Sequence, residues 1–164
     1  MLKIGIPKGE KLFGKVEKLF AEAGIEMQRE NESSLRLHFP NSDMLVKGFL
    51  LRTRRVPILV RQGHLDLGIV GEDILEESGE DVEALLKLWC KRLGFDRTRV
   101  MLFTAKDDPV CRLEDIPLTA KIISEYPELT RRQFLKRADV RIDPSPGGCE
   151  AEVPLAYRFG VAVV

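Results

Sequence analysis

Leu65-Asp66-Leu67-Gly68-Ile69-Val70-Gly71-Glu72-Asp73-Ile74-Leu75 is the stretch from which the rest of the chain can be placed. Leu67 to Val70 is a short apolar run that reads as a buried strand. It breaks at Gly71 and restarts as an acidic, helix-like segment, Glu72 to Glu77. In an open α/β sheet, ligands sit just beyond the carboxyl ends of strands, and Gly71 stands at such an end. Gly68 and Gly71 let backbone approach a neighbour closely. That neighbour is either a ligand or another strand, and an ordinary strand-to-helix turn fits the same residues.

Upstream, Val46 to Arg52 reads as a strand that runs directly into Arg52-Thr53-Arg54-Arg55. Pro57 then opens a helix, Ile58 to Gln62, which Gly63 stops. Guanidinium groups bind phosphate or carboxylate oxygens in bidentate fashion, so arginines clustered at a strand end form either an anion cradle or a solvated charged face. Ser34 to Phe39 is a further strand, separated from the next by the turn-like Pro40-Asn41-Ser42-Asp43. At the amino end, Leu2 to Ile6 is a strand followed by Pro7-Lys8-Gly9 and a helix. Leu12, Phe13, Val16, Leu19 and Phe20 recur at helical spacing, and Gly24 ends them. Lys8 stands where the positive field of a helix start would reinforce its charge, although a solvated lysine beside a loop glycine reads equally well.

Downstream, Ser78-Gly79-Glu80-Asp81 is a loop, and Val82 to Trp89 is an apolar run of undecided type. The chain passes from one lobe to another around Leu93-Gly94-Phe95-Asp96. Arg99 to Ala105 and Leu118 to Ser124 are strands, with Lys106-Asp107-Asp108-Pro109 as a turn. Pro127 begins a helix to Ala138, with Leu129, Phe134 and Leu135 as its packed stripe and Thr130-Arg131-Arg132 facing solvent or a ligand. Val140 to Ile142 is a short strand, Pro144-Ser145-Pro146-Gly147-Gly148 a loop, Glu150 to about Tyr157 a helix, and Phe159 to Val164 a last strand. Strands alternating with helices predict an α/β protein with mainly parallel sheets.

The 26 basic and 26 acidic residues cancel, which argues against a general nucleic-acid binder or a membrane-surface protein. The first residues are interrupted too early for a signal peptide, and no apolar run reaches spanning length. Cys90, Cys111 and Cys149 are odd in number and lack C-x-x-C spacing, which points to free buried thiols in a reducing, cytoplasmic setting, with a metal site as the alternative. His38 and His64 have no metal-ligand spacing and read as surface or packing residues.

Four blocks, in order along nearly the whole chain, resemble the catalytic subunit of the ATP phosphoribosyltransferase family. Ile6-Pro7-Lys8-Gly9 is similar to its "PKG" opening, and Leu51-Arg52-Thr53-Arg54-Arg55-Val56-Pro57 to its "LRPRDVP", with Arg55 in place of aspartate. Asp66-Leu67-Gly68-Ile69-Val70-Gly71-Glu72-Asp73 is similar to "DLGIVGKD", and Ser124-Glu125-Tyr126-Pro127-Glu128-Leu129-Thr130-Arg131-Arg132-Gln133-Phe134 to "TKYPNLTRRYF". A fifth block, Gly148-Cys149-Glu150-Ala151-Glu152-Val153-Pro154, follows "GATEAKVP" more loosely.

The resemblance implies two periplasmic-binding-protein-like (type II) lobes, residues 1–93 and 94–160, with the site between them. It implies Mg²⁺-dependent attack of adenine N1 of ATP on the anomeric carbon of phosphoribosyl pyrophosphate, the first step of histidine biosynthesis. Substrate contacts carry over to Lys8, Arg52, Arg54, Asp66, Gly68, Gly71, Asp73 and Glu150; no residue is singled out as catalytic, and none as a resident metal ligand. Displacing pyrophosphate needs cations at its oxygens and little proton transfer, and Lys8, Arg52 and Arg54 suit that need.

The family's last strand leads into a loop of the type "D-x-V-x-T-G-x-T-L", whose successive N–H groups form an anion nest. This sequence reaches Val164 where that loop would start, so 161–164 reads as the start of a return strand and the first lobe as incomplete. A truncated or diverged copy that binds but turns over poorly is then expected. The resemblance further implies the short form, a homo-oligomer working with a regulatory subunit related to histidyl-tRNA synthetase. A non-catalytic two-lobed module clamping an anionic small molecule, and a fragment that folds only within an oligomer, are the alternatives.

Overall fold

A computed structural model of the protein describes residues 1–42, 45–88, 99–110, 112–133 and 140–163. The chain divides into two compact units, Met1–Arg97 and Thr98–Val164.

In the first unit the elements are β1 (Leu2–Pro7), α1 (Glu10–Glu22), β2 (Gln28–Arg29), β3 (Arg36–His38), β4 (Val46–Leu51), a 3₁₀ turn (Thr53–Arg55), α2 (Val56–Arg61), β5 (Leu67–Gly68) and α3 (Glu72–Ser78). The sheet has the order β2-β3-β4-β1-β5. β1 runs parallel to both β4 and β5, with Ile4 opposite Gly48 and Leu67, and Gly5 opposite Phe49 and Gly68. Alternation along β1 sends Ile4 and Ile6 to one face, where they pack with Val16 of α1, Leu37, Phe39 and Leu50. Gly5 points to the other face, toward Val56 of α2 and Leu65. The helices therefore cover both faces of the parallel strands. Gly79, at φ 64°, ends α3 in the left-handed conformation that glycine adopts without steric cost.

The second unit holds β6 (Val100–Thr104), a 3₁₀ turn (Leu113–Asp115), β7 (Lys121–Ser124), α4 (Pro127–Gln133), β8 (Arg141–Pro144), α5 (Cys149–Glu152) and β9 (Phe159–Val163). Its sheet order is β6-β9-β7-β8. Ile122, Phe159 and Val161 face one core with Ile116 and Ala120. Ile123, Ala162, Cys149 and Val153 form the other.

The α/β class and the two units stand, but the sheets are mixed where mainly parallel ones were expected. β3 pairs antiparallel with both β2 and β4. The connection from His38 to Val46 is too short for a parallel crossover, which needs about a dozen residues, so those strands return as a hairpin. β6 is antiparallel to β9, while β7 is parallel to β8 and β9.

Two local expectations also change. α5 ends at Glu152 and gives way to turns instead of running to Tyr157. Pro154, which has no N–H to donate, explains the early stop. Thr130 is turned inward and not to solvent, being 4% exposed. Its hydroxyl donates to the Tyr126 carbonyl at 2.7 Å and accepts the Ser124 hydroxyl at 2.8 Å. Residues 82–88 hold no regular element. Trp89, the lobe switch at 93–96, and Phe134 to Ala138 lie outside the described residues.

Candidate functional site

β1, β4 and β5 are mutually parallel, so Pro7, Leu51 and Gly68 end at the same edge of the first sheet. The Lys8 N–H donates to the Leu51 carbonyl at 2.8 Å, which carries the ladder one step past both strands. That bond sets Lys8 beside the start of the arginine turn. Arg52 opens the 3₁₀ turn, its carbonyl accepting the Arg55 N–H at 2.8 Å. Lys8, Arg52, Arg54 and Arg55 are all exposed. α1 starts immediately after Lys8 with Gly9 at its N-cap; no side chain caps it, and Glu10 is the one acid in its first turn, against two in that of α3. A helix start left without a side-chain cap presents backbone N–H groups and a positive partial charge. Cationic side chains and N–H donors on one edge make a place for an anion carrying several oxygens.

The end of β5 is more self-contained. The Gly71 carbonyl accepts from Ile74 at 3.1 Å and Leu75 at 3.0 Å. The Asp73 carboxylate folds back over Gly71, so closely that a Cβ there would displace it. Glu72, on the same first turn, pairs with Lys87. Two acids at the amino end of α3 suit its own dipole and make that helix start unwelcoming to a further anion. Arg54 extends toward α2 and α3, where with Ile58, Ile74, Glu77 and Ser78 it lines a cavity of about 190 Å³. Glu77, a carboxylate only 6% exposed, is a residue the sequence reading missed within an acidic run. Its spacing was the signal: Ile74, Glu77 and Ser78 fall at i, i+3 and i+4, on one helix face.

Asp66 and Gly68 do not join the cationic group. Asp66 precedes β5 at the opposite edge, where its Oδ2 accepts the Lys3 N–H at 2.7 Å and its own N–H donates to the Lys3 carbonyl at 3.0 Å. It clamps the amino ends of β1 and β5. Gly68 lies within β5, and a Cβ there would collide with Val56 Cγ1. Lys8, Arg52, Arg54, Gly71 and Asp73 thus share the carboxyl edge.

Glu150 belongs to the second unit, exposed on the first turn of α5. There Glu125 Oε1 accepts the Gly148 N–H at 2.8 Å. Glu125, Cys149 and Glu150 bring their donor atoms within 4.8 Å of one another, a grouping able in principle to hold a metal. The donor set is wrong for a resident Mg²⁺, which takes oxygen ligands. Cys149 is fully buried, and burial, followed by the charges of Glu125 and Glu150, pushes its thiol up to about 11. Its Sγ donates to the Val161 carbonyl at 3.3 Å, and so stays a protonated packing group. His38 and His64 are exposed, and His38 Nε2 hydrogen-bonds Gln28 at 3.1 Å. Among the described residues no helix is long and apolar enough to cross a membrane.

Residues 52–160 match the family described as HisG: ATP phosphoribosyltransferase. An ATP phosphoribosyltransferase of Methanosarcina mazei is 31% identical over 151 residues, covering 92% of this chain and 50% of that relative. One from Streptomyces avermitilis is 33% identical over 165 residues, covering 100% of this chain and 53% of that relative. The chain spans about half the length of the curated relatives it matches. Among solved structures, the ATP phosphoribosyl transferase (HisG:HisZ) complex from Thermotoga maritima contains a similar fold, with a TM-score of 0.76 at 24% identity, covering 100% of this chain and 74% of that one.

Proposed function

The chain belongs to the ATP phosphoribosyltransferase family, and on that premise we propose that it serves the transfer of phosphoribosyl from phosphoribosyl pyrophosphate to N1 of ATP, with release of pyrophosphate, in histidine biosynthesis. One observation carries the reading: Lys8, Arg52 and Arg54 stand on one carboxyl edge beside the uncapped start of α1. In the reaction the lone pair of adenine N1 forms a bond to the anomeric carbon as the bond from that carbon to the pyrophosphate oxygen breaks. The electron pair leaves with pyrophosphate. Negative charge grows on the departing oxygens, so fixed cations that meet those oxygens lower the barrier. Lys8, Arg52 and Arg54 are assigned that task, with Gly71 and Asp73 bordering them and Glu150 as the candidate contact from the second unit. Mg²⁺ enters this scheme as part of the substrate, chelated by its diphosphate oxygens.

The same premise supports a two-lobed periplasmic-binding-protein-like arrangement, a homo-oligomer, and a regulatory subunit related to histidyl-tRNA synthetase. The buried free thiol of Cys149 suits a cytoplasmic setting. The test is calorimetric titration with phosphoribosyl pyrophosphate and with ATP in Mg²⁺, followed by an assay of pyrophosphate release with both, each repeated with Arg52→Ala. The expected result is saturable binding of both ligands, pyrophosphate release, and a loss of each on removing Arg52. Folded protein that binds neither ligand overturns the proposal. Binding without any release moves the assignment to a non-catalytic anion-clamping module.

A further inference from the structure

Gly5 and Gly68 sit opposite each other on adjacent parallel strands. A Cβ on Gly5 would lie 2.7 Å from Leu65 Cδ1 and 3.3 Å from Val56 Cγ1. One on Gly68 would fall on Val56 Cγ1 itself and lie 3.3 Å from Val60 Cγ2. The two glycines form a notch in the sheet, and the side chain that enters it is Val56, which is fully buried. Val56 is the first residue of α2 and follows Arg55 directly. Its N–H closes the 3₁₀ turn by donating to the Thr53 carbonyl. The arginine turn is thus tied at both ends, by β4 on one side and by a valine locked into the sheet on the other.

We infer that Val56, seated in the Gly5–Gly68 notch, is a positioning residue that sets where Arg52 and Arg54 stand on the carboxyl edge. This rests on the proposed role of those arginines as phosphate contacts. A β-branched side chain suits the task, because its restricted rotamer holds the backbone that bears it. It accounts for the glycine within β5: the room it leaves is taken by Val56. An anion cradle works only if its donors are held near their productive places, and a shift of about 1 Å is enough to cost much of its effect.

The experiment titrates inorganic pyrophosphate into the full chain by calorimetry, for the parent protein, Arg52→Ala, Gly68→Ala, Val56→Ala and the Gly68→Ala/Val56→Ala pair, with a thermal melt of each. With Val56 cut back, a Cβ at position 68 would meet the Val56 Cβ at 3.8 Å, an ordinary contact, and Val60 Cγ2 at 3.3 Å, a tight one that a shift of a few tenths of an ångström by the Val60 side chain relieves. Gly68→Ala is expected to weaken pyrophosphate binding at least tenfold in its folded fraction, and the paired variant to recover most of that loss. If Gly68→Ala does not fold, the pair must both fold and bind better than Arg52→Ala. A Gly68→Ala protein that melts lower yet binds as the parent overturns the inference while leaving the arginine reading intact. So does a pair that shows no recovery. Unchanged binding by Arg52→Ala removes the arginine reading, and the inference with it.

Discussion

The carboxyl edges of the two sheets obey the same topology and end in opposite chemistry. In the first unit the strand ends release Lys8 and the arginine turn, exposed, beside a helix start that no side chain caps. In the second, the ends of β7 and β8 are closed by the chain itself. Glu125 supplies the anion that the Gly148 N–H would otherwise take from outside. Ser145 Oγ accepts the Gly147 N–H and donates toward Gly147 O or Glu152, each at 3.2 Å. Ser124 accepts the Tyr126 N–H at 2.9 Å while donating its hydroxyl to Thr130 Oγ1. A parallel sheet marks where a ligand can sit; whether one does depends on which donors the chain leaves to be met from outside.

The largest effect expected from breaking this contrast is at the open edge. Arg52→Ala removes an exposed guanidinium without disturbing a buried group. If it holds phosphate oxygens, phosphoribosyl pyrophosphate affinity falls by about 1.5–3 kcal/mol, the value of a charged hydrogen bond. That is roughly ten- to more than a hundredfold in Kd by calorimetry. The melting temperature should barely move. Affinity equal to the parent's would leave the arginine turn without a ligand role.

At the closed edge the same kind of change should be felt in stability instead. Thr130→Val keeps the shape but removes the hydroxyl that bonds both Ser124 and the Tyr126 carbonyl. Leaving buried polar partners unmet costs about 1–3 kcal/mol. Denaturant unfolding should register it, with anion binding unaffected. A loss of binding without a loss of stability would show that this turn belongs to a ligand site.

β1, α1, α2 and the arginine turn were legible in the sequence because each rests on local pattern: alternation in β1, helical spacing in α1, Pro57 at the start of α2; β2, only two residues long, was not. Lys8 and Arg52 could be singled out because both follow strands directly. What was not legible depends on partners distant in sequence. The reason for Gly68 is Val56, across a sheet-to-helix contact that no window around residue 68 contains. Asp66 looks like a site residue by its block, yet its hydrogen bonds go to Lys3, whose pairing is fixed only once β1 and β5 are neighbours. The inward turn of Thr130 depends on Ser124, and the antiparallel β6 on β9, whose strands lie far apart in the chain.

A smaller effect is expected from neutralising the acid that closes the second edge. Glu125→Gln keeps an oxygen to accept the Gly148 N–H, so stability should fall by less than about 1 kcal/mol. The Cys149 thiol should respond more clearly. Its titration, at about 11, is raised first by burial and then by the Glu125 charge. In a Cys90→Ser, Cys111→Ser background, thiolate absorbance should titrate lower in Glu125→Gln than in the parent, yet still above the ordinary thiol value, because burial remains. No change in the thiol would mean that the Glu125 charge is not felt inside the unit.

The smallest effect concerns a second acid that the unit turns onto its own cation. Asp108 accepts Arg158 Nε at 2.6 Å and Nη2 at 2.9 Å, and the Val110 N–H at 2.8 Å. The Arg158 hydrogen bonds first, and then the Val110 N–H, hold the Asp108 carboxyl down at about 2 from an ordinary 3.8. A carboxyl lowered in the folded state adds stability that is fully present above its unfolded value and is lost as pH falls through its folded one. The gap in melting temperature between the parent and Asp108→Asn should therefore be constant above about pH 4 and close as pH drops toward 2. It should be small throughout, since the Arg158 side chain is 45% exposed and water screens the pair. Added salt should shrink it further. A gap that persists unchanged at pH 2 would show that Asp108 acts through packing and its Val110 bond, and that charge plays no part in what the Asp108–Arg158 pair contributes.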